Sequence, residues 1–399
     1  MKTQPTAKVM HIENQASDHF MVLLDSNPEH KKTRRRFHFD ARWLQYCEVE
    51  GSVRNAWNKQ IEGSKGFKVA KKVKECRTAL TRWNKGINSN NKKEIKKLKE
   101  ELEHIQKGND GNKVNIADGL KKMLMEAYKK EEQFWHQKSR IKWLKGGDQN
   151  STYFHACVAT RRKRNRISKI QKAQGGWCEN NAEIGEEVSK YYSKLVTCSQ
   201  PDDFEEFMNG ITRTITSEMN LQLTNPVTEK EVKAALFSMH PDMAPGPDGM
   251  SPIFFQRFWT IIRSDLVESI QNFFNTGHTL KAVNETLITL IPKIDTPINL
   301  SHYRPISLCN VVYKVIAKIL VNRLKPLLGG CISHSQAAFV PGRQIIDNII
   351  IAHEYIHWLN NKRGGKDAYM ALKIDMFKAY DRVEWKFLFA VMSKMGFCP

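Results

Sequence analysis

The sequence has no apolar run that approaches the roughly 18 residues a membrane-spanning helix needs, and its opening residues lack the apolar core of a signal peptide. None of its eight cysteines has a partner at C-x-x-C spacing or a histidine at zinc-finger spacing. These absences argue against the membrane, secreted and zinc-finger classes. They predict a soluble intracellular protein whose thiols are reduced and mostly buried.

Acidic residues are scarce relative to basic ones. The 399 residues contain 63 Lys and Arg against 42 Asp and Glu, which gives a net charge of +21. A polyanion is therefore the expected partner, and nucleic acid is the first candidate. With 41% hydrophobic residues the chain is apolar enough to fold, and its length suffices for two or three domains.

Most of the excess positive charge lies in one third of the chain. Residues 51–170 hold 31 basic and 12 acidic residues, whereas residues 201–250 hold 3 and 9. Apolar residues at steps of three and four predict two amphipathic helices separated near 86–90 and a third helix over about 116–145. Their lysines are either solvated faces of a coiled hairpin or direct nucleic-acid contacts, and the sequence leaves both interpretations open.

A run of cations without acidic neighbours follows the third helix: Arg161, Arg162, Lys163, Arg164 and Arg166. Aromatic residues precede the run at Tyr153, Phe154 and His155. Clustered cations suit phosphate contact and aromatic rings suit base stacking, so this segment is a candidate nucleic-acid site. A nuclear-localisation signal and a solvated turn are the alternatives.

The C-terminal part of the chain mixes strand and helix patterns. A β-branched apolar run over 286–291 predicts a strand, and a helix is expected at about 311–328. Residues 368–374 predict a strand that stops at Asp375, and the apolar spacing beyond it predicts a helix that ends at Gly396. An aspartate at the end of a buried strand suits a divalent cation, although many such aspartates are helix caps.

The stretch LKIDMFKAYDRVEWKFL, residues 372–388, closely resembles the first catalytic motif of reverse transcriptases of non-long-terminal-repeat retrotransposons, in the form common in plant genomes. Segments 225–259, 287–324 and 335–354 resemble the fingers segments of that family, in the same order. The resemblance implies the fingers and the start of the palm of a right-hand polymerase. The implied reaction is RNA-templated extension of a DNA primer, with Mg²⁺ as cofactor and deoxynucleoside triphosphates as substrates.

The resemblance assigns roles to four residues. Asp375 matches the first metal-binding aspartate, and Tyr380 matches the aromatic residue that stacks under the incoming sugar. Lys293 and Arg304 match the fingers cations that face the triphosphate, which the planar fork of arginine can grip with two bonds. Taken alone, the two cations would be surface residues and the tyrosine a core aromatic residue.

Four further residues match the QxxFxxGR segment of the family beside the template: Gln336, Phe339, Gly342 and Arg343. Glycine in such a segment would let the backbone approach the nucleic-acid strand closely. The segment Pro245-Gly246-Pro247-Asp248-Gly249 is also rich in glycine, but its alternate prolines remove amide donors. We interpret 245–249 as a rigid turn before a helix at Pro252, and not as a phosphate loop.

The opening segment contains Ser17-Asp18-His19, which resembles the end of the endonuclease domain that precedes the polymerase in this family. Asp18 and His19 would then be an endonuclease remnant. The family's usual proline two residues after the histidine is Met21 here, and the upstream carboxylates of a nuclease are absent. We therefore expect residues 1–45 to be a severed endonuclease tail.

The predicted fold is α+β and helix-rich. We expect five segments: the tail (1–45), a basic helical nucleic-acid-binding region (46–170), a linker and N-terminal extension of the polymerase (171–224), fingers (225–365) and an incomplete palm (366–399). The expected partners are an RNA template, a DNA primer or target, and deoxynucleoside triphosphates. No membrane partner is expected, and the expected location is the nucleus, with the cytoplasm as a second location.

Nucleotidyl transfer on two metal ions needs several carboxylates. The chain contains one Asp-Asp pair, Asp202-Asp203, which lies before the fingers and outside any strand-like pattern. We therefore expect the chain to be inactive as a polymerase by itself. A non-catalytic nucleic-acid-binding remnant is the alternative function, and a gene fragment without independent function is the third.

Overall fold

The computed structural model describes residues 8–12, 21–25, 36–86, 91–107, 113–139, 151–172, 174–199, 205–362, 364, 369–376 and 379–398. The chain divides into two units, residues 1–37 and residues 38–399. In the first unit, β1 (Lys8–Ile12) pairs with β2 (Met21–Asp25) in antiparallel orientation. Within the described residues, no helix is both long and apolar enough to cross a membrane.

The second unit begins with a helical region. After a 3-10 turn (Ala41–Gln45) it contains α1 (Cys47–Trp57), α2 (Lys65–Gly86), α3 (Asn91–Lys107), α4 (Lys113–Ser139) and α5 (Ser151–Asn165). The apolar stripe of α2 is buried at Val69, Val73, Cys76 and Leu80. The hairpin of α3 and α4 buries Ile95, Leu98 and Ala127 together. These contacts confirm the three predicted helices, the third of them as far as the described residues extend.

The cysteines are all free, but the expectation that most of them are buried is wrong. Cys76 and Cys178 are buried, whereas Cys47, Cys198 and Cys398 are exposed and the other three are half-buried. The exposed thiols lie where helices begin or just after they end, positions that no apolar stripe covers. Burial raises the pKa of the Cys76 thiol to about 12, so this thiol is an inert core group.

A small mixed layer follows the helical region. Strand β3 (Ile170–Gln171) pairs with β4 (Trp177–Cys178), and α6 (Asn181–Val196), α7 (Glu205–Met208) and α8 (Ser217–Thr224) come next. The side chain of Asn180 caps α6 by accepting from the Glu183 amide. Ile170, Cys178 and Ile184 form a small apolar cluster with Leu300.

The central core is built from the segment between residues 229 and 324. Its elements are α9 (Glu229–Phe237), α10 (Pro252–Arg257), α11 (Trp259–Thr276), α12 (Lys281–Asn284), β5 (Thr286–Pro292), β6 (Tyr303–Cys309) and α13 (Val311–Leu324). Fully buried side chains in this core include Phe254, Phe255, Ile262, Leu266 and Ile270. The observed β5 and α13 confirm the strand and the helix that the sequence predicted here.

Asp265 on α11 joins the basic helical region to this core. One carboxylate oxygen, Oδ2, accepts from Trp57 Nε1 at 2.7 Å and from Lys72 Nζ at 2.8 Å. Lys65 at the start of α2 also pairs with Glu268, one turn further along α11. Some of the lysines in the basic region therefore have a structural role.

Arg323 on α13 fixes the beginning of α9. Its Nε and Nη2 atoms donate to the two carboxylate oxygens of Glu231 at 2.8 and 3.1 Å, and Nη1 donates to the carbonyls of Leu223 and Asn225. Glu231 also closes a capping box with Thr228. The bond from Arg323 is the main cause that lowers the pKa of the Glu231 carboxyl group.

The turn at 245–249 packs against the start of α13. A Cβ atom on Gly246 would lie 2.4 Å from Asn310 Oδ1 and 2.5 Å from the Asn310 amide nitrogen. The Asp248 amide donates to the same Oδ1 atom at 3.3 Å. Helix α10 begins at Pro252, shortly after the turn. The prediction of a turn at 245–249 before a helix at Pro252 is therefore confirmed.

The last described elements are α14 (Leu328–Cys331), α15 (Ile345–Asn361), α16 (Ala379–Arg382) and α17 (Trp385–Met395). Gly396 ends α17 in the left-handed conformation, as the sequence predicted. The carbonyl of Met395 accepts from the amides of Thr214 and Ile215, each at 3.0 Å. The end of α17 is thereby attached to the segment before α8.

The predicted fold class, helix-rich α+β, is confirmed. Three small antiparallel pairs accompany the helices in the described part of the chain. The arrangement of fingers and palm in a right-hand polymerase stays a prediction.

Replacement of Gly246 by alanine is expected to destabilise the fold by about 3 kcal/mol, because its methyl group would meet backbone atoms of residues 309 and 310 that cannot move aside. Gly185→Ala is the matched control, since Gly185 lies inside α6 with open space around its Cβ position. The control substitution should raise the free energy of unfolding by about 0.5–1 kcal/mol. Urea denaturation of both variants measures the two effects, and similar shifts would contradict this account.

Asp248 is expected to make stability depend on pH. Burial raises the pKa of its carboxyl group to about 6, although the Met250 amide and the charges of Lys314 and Arg77 oppose this rise. The folded chain then holds a proton that the unfolded chain lacks between about pH 4 and 6, so this group makes stability fall as pH rises through that window. The effect is on the order of 3 kcal/mol.

Asp248→Asn keeps the acceptor for the Met250 amide and removes the titration. The difference in unfolding free energy between wild type and this variant should therefore change with pH between 4 and 6 and level off above. Parallel stability curves across that window would contradict the assignment.

Candidate template and nucleotide interface

The hairpin of β5 and β6 places two predicted site residues on one face. Ile291 is opposite Arg304, and the Lys293 amide continues the ladder by donating to the His302 carbonyl at 2.8 Å. Residues two apart on a strand point to the same side, so Lys293 and Arg304 are diagonal neighbours. Both residues are exposed. The structure thus brings together the two cations that the resemblance assigns to the triphosphate.

The basic run forms the last turns of α5 and the residue just after it. Arg164 Nη2 contacts Asp295 Oδ1 at 3.2 Å, and the Gln171 amide donates to the Ile298 carbonyl at 2.9 Å. Both acceptors lie in the connection between β5 and β6. The run is therefore adjacent to the hairpin that carries Lys293.

The other four cations of the run are exposed, and none of them has an ion pair within the described residues: Arg161, Arg162, Lys163 and Arg166. Part of this charge has a local structural explanation, because cations near the C-terminus of a helix interact favourably with its dipole. That effect does not neutralise the charge, so these side chains keep their attraction for a polyanion.

The aromatic residues before the run are less exposed than base stacking would require. Phe154 is only 1% exposed and packs edge-on against His136, and the rings of His155 and Trp135 lie 3.5 Å apart. The prediction that Phe154 is available for base stacking is wrong, because this side of α5 packs against α4. Tyr153 alone of the three is exposed.

Lysines of the preceding helices have acidic partners. Five pairs lie about one helical turn apart: Lys71–Glu75, Lys96–Glu100, Lys97–Glu101, Lys107–Glu103 and Lys121–Asp118. Two further pairs, from Lys65 and Lys72, reach α11. Exposed pairs add little stability, but they neutralise charge locally. At these positions the structure favours the interpretation as solvated or structural lysines over direct nucleic-acid contact.

The QxxFxxGR residues share one loop between α14 and α15. Arg343 is held inside the loop, since its two terminal nitrogens donate to four backbone carbonyls: Gly329, Ile332, Ser333 and Gln336. Gln336 Nε2 donates to the Ala338 carbonyl at 3.2 Å. Gly342 has φ +78° with open space at its Cβ position, and Phe339 is 96% exposed. The loop therefore presents an aromatic ring, while its arginine is engaged with the backbone.

The segment that carries Asp375 is irregular. The predicted strand at 368–374 is wrong for the described residues 369–374, which have no strand pairing. A strand needs a neighbour to satisfy its backbone groups, and within the described part of the chain none lies beside it. Leu372 and Ile374 are accordingly exposed, and so is Asp375.

The surroundings of Asp375 do not fit a magnesium site as they stand. Among the described residues, no group of three potential ligands from His, Cys, Asp and Glu is close enough to hold a metal ion. Tyr380, on α16, is 95% exposed. The core interpretation of Tyr380 is therefore wrong, whereas its role at the incoming sugar stays a prediction.

Several predicted residues lie outside the described part of the chain. They are Asp18 and His19 of the proposed endonuclease remnant and the pair Asp202-Asp203. Conversely, the sequence analysis did not single out Asp295 or Asn310. Asparagine at the start of a predicted helix was the one available signal for Asn310, because asparagine favours the position before the first helical residue.

Comparison with known proteins identifies the C-terminal segment of the chain. Residues 291–399 match the family described as reverse transcriptase (RNA-dependent DNA polymerase). This range includes Arg304, the loop between α14 and α15, and Asp375.

Three related proteins come from transposable elements. The chain is 28% identical over 264 residues, 66% of its length, to the Transposon TX1 uncharacterized 149 kDa protein of Xenopus laevis. It is 24% identical over 172 residues to the Retrovirus-related Pol polyprotein from type-1 retrotransposable element R2 of Popillia japonica, and 26% identical over 180 residues to that of Bradysia coprophila. The R2 matches cover 43% and 44% of the chain.

Residues 291–399 are therefore similar to reverse transcriptases, and the relatives that the chain matches belong to a transposon and to type-1 retrotransposable elements. The matches cover 20%, 22% and 19% of the three relatives, so the chain spans about a fifth of the length of the curated relatives it matches. The family resemblance read from the sequence is thereby confirmed at this level. The plant form and the endonuclease remnant stay predictions.

Proposed function

We propose that this chain binds the RNA template and the incoming nucleotide in an RNA-directed DNA polymerase, with the family role in target-primed reverse transcription. One observation carries the proposal. The Gln171–Ile298 backbone bond and the packing of Ile170 against Leu300 join the chain just after α5 to the connection between β5 and β6. The exposed cations of α5 therefore lie beside the β5–β6 hairpin, where Arg164 also contacts Asp295, and one face of this hairpin bears Lys293 and Arg304. Two elements far apart in sequence therefore contribute to one positive surface.

Such a surface has the chemistry that both ligands require. A template strand carries one phosphate per nucleotide, and a deoxynucleoside triphosphate carries three phosphates at one end. Arginine can hold phosphate oxygens with two parallel hydrogen bonds, while lysine acts as a point charge. The run on α5 would contact the strand, and the diagonal pair Lys293 and Arg304 would face the triphosphate.

The proposed arrangement is that of a right-hand polymerase. Residues 225–365 would form the fingers, residues 366–399 the first part of the palm, and residues 46–170 the basic helical region that accompanies them. Residues 171–224 would link the two, and residues 1–45 would be the endonuclease remnant. We also propose a nuclear location, which imaging of a fluorescent fusion with and without the α5 cations would test.

The α5 cations should set the salt dependence of RNA binding. Arg161, Arg162 and Lys163 are replaced together by glutamine in the full chain, and the affinity for a fluorescent single-stranded RNA is measured by anisotropy across salt concentrations. Each lost phosphate contact lowers the slope of log K against log salt by about 0.7, so we expect a decrease of about 2.

The matched control removes the same charge elsewhere. Lys96, Lys97 and Lys107 are replaced by glutamine, since each is paired with a glutamate one helical turn away. This variant should keep the wild-type slope within about 0.7. Equal losses in the two triple variants would show that only net charge matters, and wild-type binding that is independent of salt would refute the proposal.

We propose magnesium chemistry only for an active site that contains further carboxylates in addition to Asp375. Nucleotidyl transfer uses two ions roughly 3.5–4 Å apart, and Asp375 alone cannot hold both. Because the described residues around Asp375 do not fit a metal site, we derive no catalytic step from them.

We expect no primer extension by the purified 399 residues, for the same reason. A labelled DNA primer on an RNA template, with deoxynucleoside triphosphates and Mg²⁺, provides the measurement. Asp375→Asn is the control. Extension by the wild-type chain that this variant lacks would show that these residues complete the active site.

A further inference from the structure

The loop between α14 and α15 holds Phe339 in an unusual state. Its φ angle is +65°, and it is the one non-glycine residue with a positive φ in the described part of the chain. Its side chain is also 96% exposed. A bulky residue in the left-handed region is disfavoured by its own Cβ, and a phenyl ring gains nothing from contact with water.

The residues beside Phe339 explain how this state persists. Ala337 and Val340 are both buried, and the Val340 amide donates to the Ala337 carbonyl at 3.5 Å. The Arg343 amide donates in turn to the Val340 carbonyl at 3.4 Å. The backbone is therefore anchored on both sides of Phe339, and the turn between the anchors directs the ring into solvent.

Arg343 holds the rest of the loop. Nη1 donates to the carbonyls of Ser333 and Gln336, the latter at 2.7 Å, and Nη2 donates to the carbonyls of Gly329 and Ile332 at 3.2 and 2.9 Å. These four bonds match the four N–H groups of the two terminal nitrogens. The fork that could grip a phosphate is already engaged within the chain.

Strained backbone persists only where the surrounding structure imposes it, and such positions cluster at binding sites. Glycine would meet the backbone requirement at position 339 without a steric penalty. The phenyl ring therefore adds nothing to the conformation of the loop. Its exposure is what a partner could use.

We propose that Phe339 is a stacking platform for one base of single-stranded RNA and that Arg343 is the positioning residue that keeps the platform in place. This inference rests on the proposed function. A nucleobase is the favoured occupant because every base offers a flat π face and because the net charge of +21 attracts a polyanion. The proposal changes the expected role of Arg343 from contact with the template to positioning of the loop that carries Phe339.

The first test uses Phe339→Gly and Phe339→Tyr in the full chain, with a fluorescent single-stranded RNA in anisotropy titrations. Loss of one stacked base weakens binding by about 5- to 150-fold, so Phe339→Gly should fall in that range. Its thermal midpoint should equal or exceed that of wild type, because glycine relieves the strain. Phe339→Tyr keeps the ring and should bind like wild type.

Phe207→Ala is the matched control, because Phe207 is likewise exposed but lies on the ordinary helical backbone of α7. It should leave RNA affinity unchanged. A second probe is the same RNA with one base at a time removed. Wild type should lose affinity at the position that stacks, whereas Phe339→Gly should be insensitive to every abasic site at which wild type responds.

The second test separates support from phosphate contact. Arg343→Ala should weaken RNA binding as Phe339→Gly does but leave the slope of log K against log salt unchanged. An arginine in contact with phosphate would lower that slope by about 0.7. Arg343→Lys should not restore affinity, because one ammonium group cannot replace a planar fork that reaches four carbonyls.

The outcomes distinguish this inference from the proposed function. If wild type binds RNA with the expected salt dependence and Phe339→Gly binds equally well, the stacking platform is refuted and the proposed function stands. A lower salt slope for Arg343→Ala refutes the positioning role. If wild type shows no salt-dependent RNA binding, the proposed function itself fails.

Discussion

The side chain of Asn310 joins the parts of the molecule that must be fixed for the hairpin face to have a defined position. Its Oδ1 atom accepts from the Asp248 amide, and its Nδ2 atom donates to the carbonyls of Ala282 and Val283 at 2.9 and 3.3 Å. Gly246 allows this approach because it has no side chain. Since β6 ends at the residue before Asn310 and α13 begins at the residue after it, the turn at 245–249, α12, the hairpin and α13 are held through one amide group. This joint fixes the base of the hairpin, and the cluster of Leu300 with Ile170, Cys178 and Ile184 fixes the connection near Lys293 and Arg304.

The helices of the fold could be predicted because their signals are local. Apolar spacing located α2, α3 and most of α4, and terminal residues such as Pro252 and Gly396 marked where helices begin or end. The segment 368–374 shows the limit of this reasoning. Its composition favours a strand, but a strand exists only when another segment pairs with it, and pairing is not a property of the segment itself. The prediction that Phe154 is available for base stacking was wrong for a related reason. The packing of α5 against α4 decides which face of α5 is buried, and Phe154 lies on that face.

The candidate site could likewise be predicted only in part from the sequence. Resemblance selected Lys293 and Arg304 from the sequence, but only the register of the hairpin shows that they share a face. Arg343 was selected as a template contact, and the structure shows it bound to four carbonyls. Backbone carbonyls have no sequence signature, so no pattern of residue types could have revealed this engagement. Asp295 was not identified either, because its contact with Arg164 depends on how the end of α5 packs beside the hairpin, which no local pattern shows.

The distribution of charge carries more information than its total. Lysines of α3 contribute to the net charge of +21, but three of them have a glutamate one turn away, and the field of such a pair falls off quickly with distance. The cations at the end of α5 have one ion pair among them within the described residues. A nucleic acid that approaches the chain is therefore attracted most strongly where charge is uncompensated, and this place adjoins the hairpin. The structure thus separates lysines that have an acidic partner one turn away from cations that, apart from Arg164, have no ion pair within the described residues.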